Sequence, residues 1–335
     1  MKGFAGVLVF SSPGRYNMCM RLTVLIFLLC TASLPLSALQ ARSGALLSPG
    51  RTAELSLSPF VSYMTGFSDE LVYDSSSEPY PYMSRLHWEI NPALISGLSG
   101  SVNIGNVLFL NAAAGSTINP STGEMTDHDW LSGYFSQTDT EWTHYSLSDI
   151  YLTHSLLVDY NATVRFYRTY NFNLDFLSGF KLIQWGWTDS LKELDYPGSD
   201  YETLIGQNGI DYDIEYRIPY IGGGISFREG SFTGGWTFIY SWMVSVDDHD
   251  YHKFRGLHFY DTFRKGSYTG LSIYSSWHWT PVFSLALSLD IDSVHEFQGD
   301  TAVYNNSGSL RGFYPGSAGV RYDTSSLSLN LEYRY

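Results

Sequence analysis

The C-terminal stretch Ser326-Leu-Ser-Leu-Asn-Leu-Glu-Tyr-Arg-Tyr335 alternates polar and apolar side chains without a break. Successive side chains of a β-strand point to opposite faces, so this period of two puts every Leu and Tyr on one face. A second stretch, Phe283 to Asp292, repeats the pattern with Phe, Leu and Ile on one face. These segments predict amphipathic strands of about the length that crosses a bilayer.

The composition of the whole chain agrees with such strands. Its 26 Tyr, 20 Phe and 9 Trp outnumber its 19 basic and 33 acidic residues, and the excess of aromatic residues excludes a disordered chain. Beyond residue 41 no apolar run approaches the roughly 18 residues of a transmembrane helix. The net charge of −14 and the lack of Lys/Arg clusters exclude a nucleic-acid partner.

Less regular alternation elsewhere predicts about ten strands, an even number, as single-chain bacterial barrels have. They lie near residues 53–68, 84–97, 101–114, 146–160, 171–189, 206–227, 231–247, 264–279, 282–297 and 317–335. Short links at Glu229-Gly230 and Thr280-Pro281 contrast with four polar stretches that we predict to be loops. These are residues 115–145, 190–205, 248–263 and 298–316.

Short turns on one side and long loops on the other are typical of outer-membrane barrels. In lipid every backbone N–H and C=O group needs a partner, so a membrane sheet must close on itself. We therefore predict an all-β fold, a ten-stranded antiparallel transmembrane β-barrel with long extracellular loops. The alternative, a soluble sandwich or lipocalin-like barrel, accounts less well for the excess of aromatic residues.

The N-terminal segment, residues 1–41, predicts a secretory signal peptide. It carries three basic residues and no acidic one, followed by the short apolar core Leu22–Leu29 and then small residues. We expect cleavage between residues 38 and 41, which leaves residues 42–335 as the barrel domain. Removing the three basic residues takes the net charge from −14 to −17, and an acidic surface attracts cationic partners.

Two acidic clusters are candidates for chemistry, Asp127-His128-Asp129 and the run from Asp247 to His252. In an extended chain residues i and i+2 share a face, so Asp127 can act with Asp129, and Asp247 with His249. An Asp orients a His and stabilises its protonated form, and one of two neighbouring carboxylates can hold a proton. Together they could activate a water against a peptide carbonyl. A Ca²⁺ site and a solvated acidic loop remain open alternatives.

At these residues the chain resembles the omptin family of outer-membrane proteases. The family pattern is an early Asp-x-Asp pair with a Met two residues before it, and an Asp-x-His pair late in the chain. In this sequence the pattern falls on Met125, Asp127, Asp129, Asp247 and His249. An Arg-Ile-Pro-Tyr-Ile-Gly run, Arg217 to Gly222, lies between the pairs, and the resemblance covers essentially the whole mature chain.

The resemblance implies a groove at the outer mouth of the barrel, where His249 with Asp247 activates water and Asp127 with Asp129 positions it. It also implies cleavage next to basic residues, with Glu70 at the base of the first specificity pocket. Met125 and Ile210 match positions that line neighbouring pockets. A second acidic pocket residue usually stands two positions before the catalytic Asp. Here that position holds Ser245, so we expect a weaker grip on Arg or Lys.

Omptins also need lipopolysaccharide, which outward-facing arginines hold, and the matching positions here are Gln184 and Glu215. The resemblance thus implies that lipopolysaccharide binds differently or more weakly, and it implies no metal or other cofactor. We expect a monomer in the bacterial outer membrane that cleaves exposed, cationic peptides or proteins with its active site facing the exterior. The alternative is a non-catalytic barrel that acts as an adhesin or receptor. A porin is disfavoured because so few strands leave little room for a wide pore.

Overall fold

The computed structural model describes residues 53–74, 82–131, 142–196 and 202–335, so the predicted signal peptide, residues 1–41, lies outside the described residues. One antiparallel sheet contains all the described strands. They are β1 Ala53–Val72, β2 Ser84–Ile104, β3 Leu108–Thr117, β4 Gly123–Asp129, β5 His144–Arg168, β6 Phe172–Asp195, β7 Ile210–Glu229, β8 Phe232–His252, β9 Leu257–His278, β10 Phe283–Asn305 and β11 Leu310–Arg334. None of the described helical segments has the length and apolar character needed to cross a membrane.

The sheet closes because β1 pairs on both of its sides. Tyr63 of β1 lies opposite Leu94 of β2 and opposite Leu327 of β11. β3 and β4 occupy one place between β2 and β5, so the ring has ten positions. The break between them contains Pro120, which has no N–H to give to a ladder, while its carbonyl accepts a hydrogen bond from Leu152 N at 2.8 Å. The prediction of a ten-stranded antiparallel barrel is confirmed.

Exposed large apolar side chains encircle one part of the barrel, which we call the apolar band. The band includes alternate residues of Leu57–Tyr63 in β1, Phe232–Trp242 in β8 and Leu327–Tyr333 in β11. The interior at this level is polar, with Lys181 Nζ 2.7 Å from Asp292 Oδ1. An apolar outside around a polar inside is the arrangement that a bilayer requires of a barrel.

The strands continue well past the apolar band, and this corrects the predicted loops. Residues 248–252 and 257–263 are strand, joined by a turn at 253–256, although the whole stretch 248–263 was predicted to be a loop. Above the band neither face of the sheet meets lipid, so the alternation of apolar residues fades while backbone pairing continues. We call this end of the molecule, with the turn at 253–256, the barrel mouth. The short links at Glu229-Gly230 and Thr280-Pro281 fall at turns, as predicted.

Register irregularities in β8 and β9 decide which side chains point into the barrel mouth. Along lower β8 the odd-numbered residues Ile239 and Ser241 are buried, then Trp242 and Met243 are both exposed. From Val244 onward the even-numbered residues are the buried ones. The reversal is matched on β9, where Lys265 has a left-handed φ of 68°. Such bulges re-aim the side chains that follow them.

Candidate active site

The predicted pair Asp247 and His249 lies on the outer wall of the barrel, away from the interior. Asp247 forms ion pairs with Arg217 and, at 2.7 Å, with Arg264. His249 stacks on the ring of Tyr260 at 4.4 Å. The structure therefore contradicts the prediction that this pair faces Asp127 and Asp129. The bulge at Trp242-Met243 is the physical reason, because it turns the odd-numbered residues of upper β8 outward.

Ser245 shares this outer face, opposite Arg217 in the ladder. It therefore points away from the barrel interior, so Ser245 gives no basis for expecting a weakened pocket there. Three residues further along β8, Asp248 points inward and is 6% exposed.

The inward-facing pair of upper β8 is Asp250 with His252. His252 Nε2 lies 2.5 Å from Asp250 Oδ2, and Asp250 is 1% exposed. The run Asp247 to His252 contains two Asp-x-His pairs, one for each face of the strand. Asp248 stands two positions before Asp250, where the family pattern has its second acidic residue. The inward set thus fits the whole late motif.

Asp127 and Asp129 lie on the inner face of β4, towards the barrel mouth. Ser84 Oγ donates a hydrogen bond to Asp127 Oδ1 at 3.2 Å. Burial raises the pKa of Asp127, and the charges of Asp129 and Asp250 raise it further. Burial also raises the pKa of Asp129, while the charge of His252 acts to lower it. The charges of the two pairs act on each other, so the Asp127–Asp129 pair and the Asp250–His252 pair lie near one another in the barrel mouth, and we call the space between them the groove.

The second nitrogen of His252 is also engaged. Arg255, in the turn between β8 and β9, contacts His252 Nδ1 through Nη2. A guanidinium only donates, so Nδ1 accepts this hydrogen bond and Nε2–H donates to Asp250. The charge of Arg255 also acts to lower the pKa values of Asp127 and Asp129. Arg255 thus brings a positive charge of the protein itself to the groove.

A group of carboxylates, which we call the acidic pocket, adjoins the groove and consists of Glu70, Asp248 and Asp261. Glu70 points inward from β1 and is 4% exposed. Burial raises its pKa well above the ordinary value, and the charges of Asp250, Asp248 and Asp261 raise it further. Sequence analysis found Glu70 but missed the other two, because the bulges in β8 and β9 decide that they point inward.

Stacked aromatic rings, which we call the aromatic floor, lie against the acidic pocket. Trp88 stacks on Tyr212 with ring centroids 4.9 Å apart, and Trp187 stacks on Trp185 at 5.5 Å. The hydroxyl of Tyr212 donates to Asp248 Oδ2 at 3.1 Å. The floor keeps water away from the carboxylates, which strengthens the interactions of their charges.

Met125 and Ile210 are buried on the inner side of the barrel. Met125 precedes Asp127 on the same face of β4. Ile210 begins β7, where Asp189 Oδ1 accepts hydrogen bonds from the backbone N–H groups of Gly209 and Ile210 at 2.6 and 2.7 Å. Asp189 therefore fixes where β7 starts. Whether Met125 and Ile210 line substrate pockets stays a prediction.

Gln184 and Glu215 lie on the outer wall, next to each other. Gln184 Nε2 donates to Glu215, and Glu215 also pairs with Arg217. Since Asp247 pairs with both Arg217 and Arg264, the basic groups of this surface already have acidic partners.

No described group of three or more His, Cys, Asp or Glu side chains is arranged to hold a metal ion. The calcium alternative thus has no ligand set among the residues that the structure describes.

Comparisons with known proteins give one consistent family. The model of the Omptin family matches residues 51–335. The plasminogen activator of Yersinia pestis is 26% identical over 81% of this chain and 86% of its own, and outer membrane protease OmpP of Escherichia coli K12 is 24% identical over 93% and 99%. The crystal structure of outer membrane protease OmpT from E. coli superposes with a TM-score of 0.74 at 21% identity, covering 88% of this chain and 99% of that one.

Proposed function

The chain belongs to the omptin family and is an outer-membrane protease, and on that premise we propose that it is an endopeptidase in which Asp250, His252, Asp127 and Asp129 activate water. The observation that carries the proposal is the meeting of two pairs in one groove. One pair is a hydrogen-bonded Asp–His couple, and the other is an Asp–Asp couple whose pKa values are raised mainly by burial.

In this mechanism a water lies between the two pairs, with the peptide carbonyl beside it. Asp250 accepts the Nε2–H of His252, which leaves Nδ1 with a lone pair and stabilises the imidazolium once it forms. His252 Nδ1 takes a proton from the water while the oxygen bonds to the carbonyl carbon. A protonated carboxyl of the Asp127–Asp129 pair donates to the carbonyl oxygen as it becomes negative. The imidazolium then gives its proton to the leaving amine, and the C–N bond breaks.

Arg255 has to leave Nδ1 before the water can reach it, since one lone pair accepts one proton. A cationic substrate side chain offers the groove an alternative positive charge. Binding of such a substrate would therefore help to displace Arg255.

The acidic pocket supports a preference for cationic substrates. Glu70 and Asp248 are both buried, and within the described residues neither forms an ion pair with Lys or Arg. A substrate Arg or Lys side chain would supply the missing positive charge, which is the main requirement for keeping carboxylates buried. We propose that the barrel mouth faces the exterior, where such peptides and proteins are accessible.

The test uses the two faces of one strand. Asp250→Asn and His252→Ala are compared with Asp247→Asn and His249→Ala, which change the same residue types on the outer wall. Cleavage of a fluorogenic peptide with basic residues is measured in isolated outer membranes, and heat-modifiable mobility in electrophoresis reports the folded barrel. The inward variants should lose about 10⁴-fold or more in kcat, as variants of other catalytic Asp–His couples do.

The outward variants should keep activity within about threefold, as exposed surface changes usually do. Loss of activity in the outward pair with retention in the inward pair would overturn the assignment of the site. A wild-type barrel that cleaves no peptide at all would favour the adhesin or receptor alternative.

We also propose that lipopolysaccharide binds this barrel more weakly than it would bind a barrel with outward-facing arginines at these positions. The supporting observation is that Arg217 and Arg264 are both engaged by acidic side chains of the outer wall. Activity of the refolded protein, titrated with lipopolysaccharide, should saturate at higher lipid concentration in wild type than in Glu215→Gln. Equal half-saturation in the two proteins would contradict this.

A further inference from the structure

The carboxylates of Asp248 and Asp261 lie side by side on neighbouring strands. The two residues are directly opposite each other in the β8–β9 ladder, and they are 6% and 5% exposed. Like charges at opposed positions of a sheet destabilise it, and burial makes the repulsion stronger. On its other side Asp261 is opposite Thr301 of β10, which is neutral. The pair has no obvious structural benefit.

Hydrogen bonding leaves this part of the barrel incomplete. Among the described residues, one oxygen each of Glu70, Asp248 and Asp261 is buried and accepts no hydrogen bond. A buried acceptor without a donor costs roughly 1–3 kcal/mol, and more when it is charged. A ligand with several hydrogen-bond donors would satisfy these three oxygens, which come from three different strands.

We propose that Asp261 forms a third wall of the specificity pocket, and that the three carboxylates together select an arginine side chain over a lysine side chain. The proposal rests on the protease function proposed above and adds a specificity residue to it. A guanidinium carries five N–H donors in one plane and can donate to oxygens on three sides. An ammonium has three donors on a single nitrogen, so it satisfies three walls only if all three carboxylates come within hydrogen-bond distance of one point.

The two ions also differ in hydration. A guanidinium is more weakly hydrated than an ammonium and gives up water more readily. The pocket lies against the aromatic floor, where Tyr212 donates to Asp248 but cannot supply a positive charge. A dry pocket with three acidic walls therefore favours a guanidinium over an ammonium for two reasons, the geometry of its donors and its lower cost of desolvation.

The kinetic test uses two fluorogenic peptides that differ only in Arg or Lys on the amino side of the cleaved bond. Wild type is compared with Asp261→Asn, which keeps the shape of the side chain and removes its charge. Asp213→Asn is the matched control, since Asp213 is an exposed carboxylate on the outer face of β7. Heat-modifiable mobility confirms that each variant folds.

Wild type should prefer the Arg peptide, and Asp261→Asn should lower kcat/KM for it by about tenfold, mainly through KM, with a change of about threefold for the Lys peptide. Asp213→Asn should leave the ratio unchanged. An Arg-to-Lys ratio that is the same in wild type and Asp261→Asn would overturn the proposal.

Binding separates this proposal from the proposed catalysis. Agmatine and cadaverine carry the cationic groups of Arg and Lys without a peptide bond, and their dissociation constants are measured by calorimetry on the full barrel in detergent. Agmatine should bind wild type about tenfold more tightly than cadaverine, and Asp261→Asn should abolish the difference. Equal affinities in wild type overturn the pocket proposal even if peptides are cleaved. Selective agmatine binding without Asp250-dependent cleavage overturns only the catalytic proposal.

Discussion

Replacing Asp261 by Asn should change how the stability of the barrel depends on pH. Asp261 is 5% exposed, and burial raises the pKa of its carboxyl from 3.8 to about 7, with a further contribution from the charge of Asp250. A raised pKa in the folded state means that the native protein holds this proton more tightly than the unfolded chain does. The carboxyl therefore favours folding only while it is protonated.

The sign and size follow from that difference. The stabilisation is fully present below the unfolded pKa of 3.8 and is lost as the pH rises to the folded pKa of about 7. A shift of about three units at about 1.4 kcal/mol per unit amounts to about 4 kcal/mol. An Asn at this position stays neutral at every pH, so it should remove about that much of the decline in stability.

The free energy of unfolding is measured by guanidinium titration of the barrel in lipid vesicles, at about pH 4 and about pH 8. Asp300→Asn is the control, because Asp300 is an exposed carboxylate near the end of β10. Wild type and the control should lose stability across this range, and Asp261→Asn should lose about 4 kcal/mol less. Parallel losses in all three proteins would refute the assignment of Asp261 to a desolvated, mutually repelling group.

Three further variants test other parts of the site. Arg255→Ala removes the guanidinium that occupies Nδ1 of His252, so kcat/KM for basic peptides should rise several-fold in steady-state assays; a fall would make Arg255 part of the working groove. Glu70→Gln should lower kcat/KM for Arg and Lys peptides alike, by about tenfold or more, whereas an unchanged value would place Glu70 outside the pocket. Trp88→Ala should cost about 3–5 kcal/mol in guanidinium titrations because it leaves a cavity beside Tyr212, and a loss below about 1 kcal/mol would contradict a packed floor.

The fold could be predicted where the two faces of a strand meet different solvents. Leu327, Leu329 and Leu331 are exposed on the apolar band while their neighbours face the interior, so the sequence itself shows the alternation. Above the apolar band this contrast ends. Residues 248–263 therefore read as a polar loop, although backbone pairing carries β8 and β9 on to the turn at 253–256. Backbone hydrogen bonds between strands do not require a pattern of polar and apolar side chains, so the sequence does not reveal them.

The site could be predicted as a motif but not as a set of side chains. Asp127 and Asp129 lie where they were predicted, because β4 runs without a bulge from Gly123 to Asp129. On β8 the lower alternation, continued upward, turns Asp247 and His249 inward. Two adjacent exposed residues, Trp242 and Met243, shift that alternation by one. Both side chains are apolar, so the residue types at these two positions do not predict a bulge.

One signal in the sequence favours Asp250 and His252, the catalytic pair that we propose. An acidic residue two positions before the catalytic Asp belongs to the family pattern, and Asp248 supplies it for Asp250, whereas Ser245 fails to supply it for Asp247. Ser245 breaks the pattern only if Asp247 is the catalytic residue, and a shift of the motif by three residues restores the pattern in full. Agreement across every position of a motif is stronger evidence than agreement at its two most reactive residues.

The stability and the specificity of this barrel share a physical origin. Glu70, Asp248 and Asp261 come from three strands, and closure of the barrel brings their charges together above a floor that excludes water. Their mutual repulsion destabilises the barrel when no cation is bound, and a cation in the pocket removes that repulsion. Under the proposed specificity, part of the affinity for a cationic side chain therefore comes from relief of repulsion within the protein. At a pH where the three carboxylates are charged, the barrel without a bound cation is least stable. We expect such a pocket to bind a cation most strongly at that same pH.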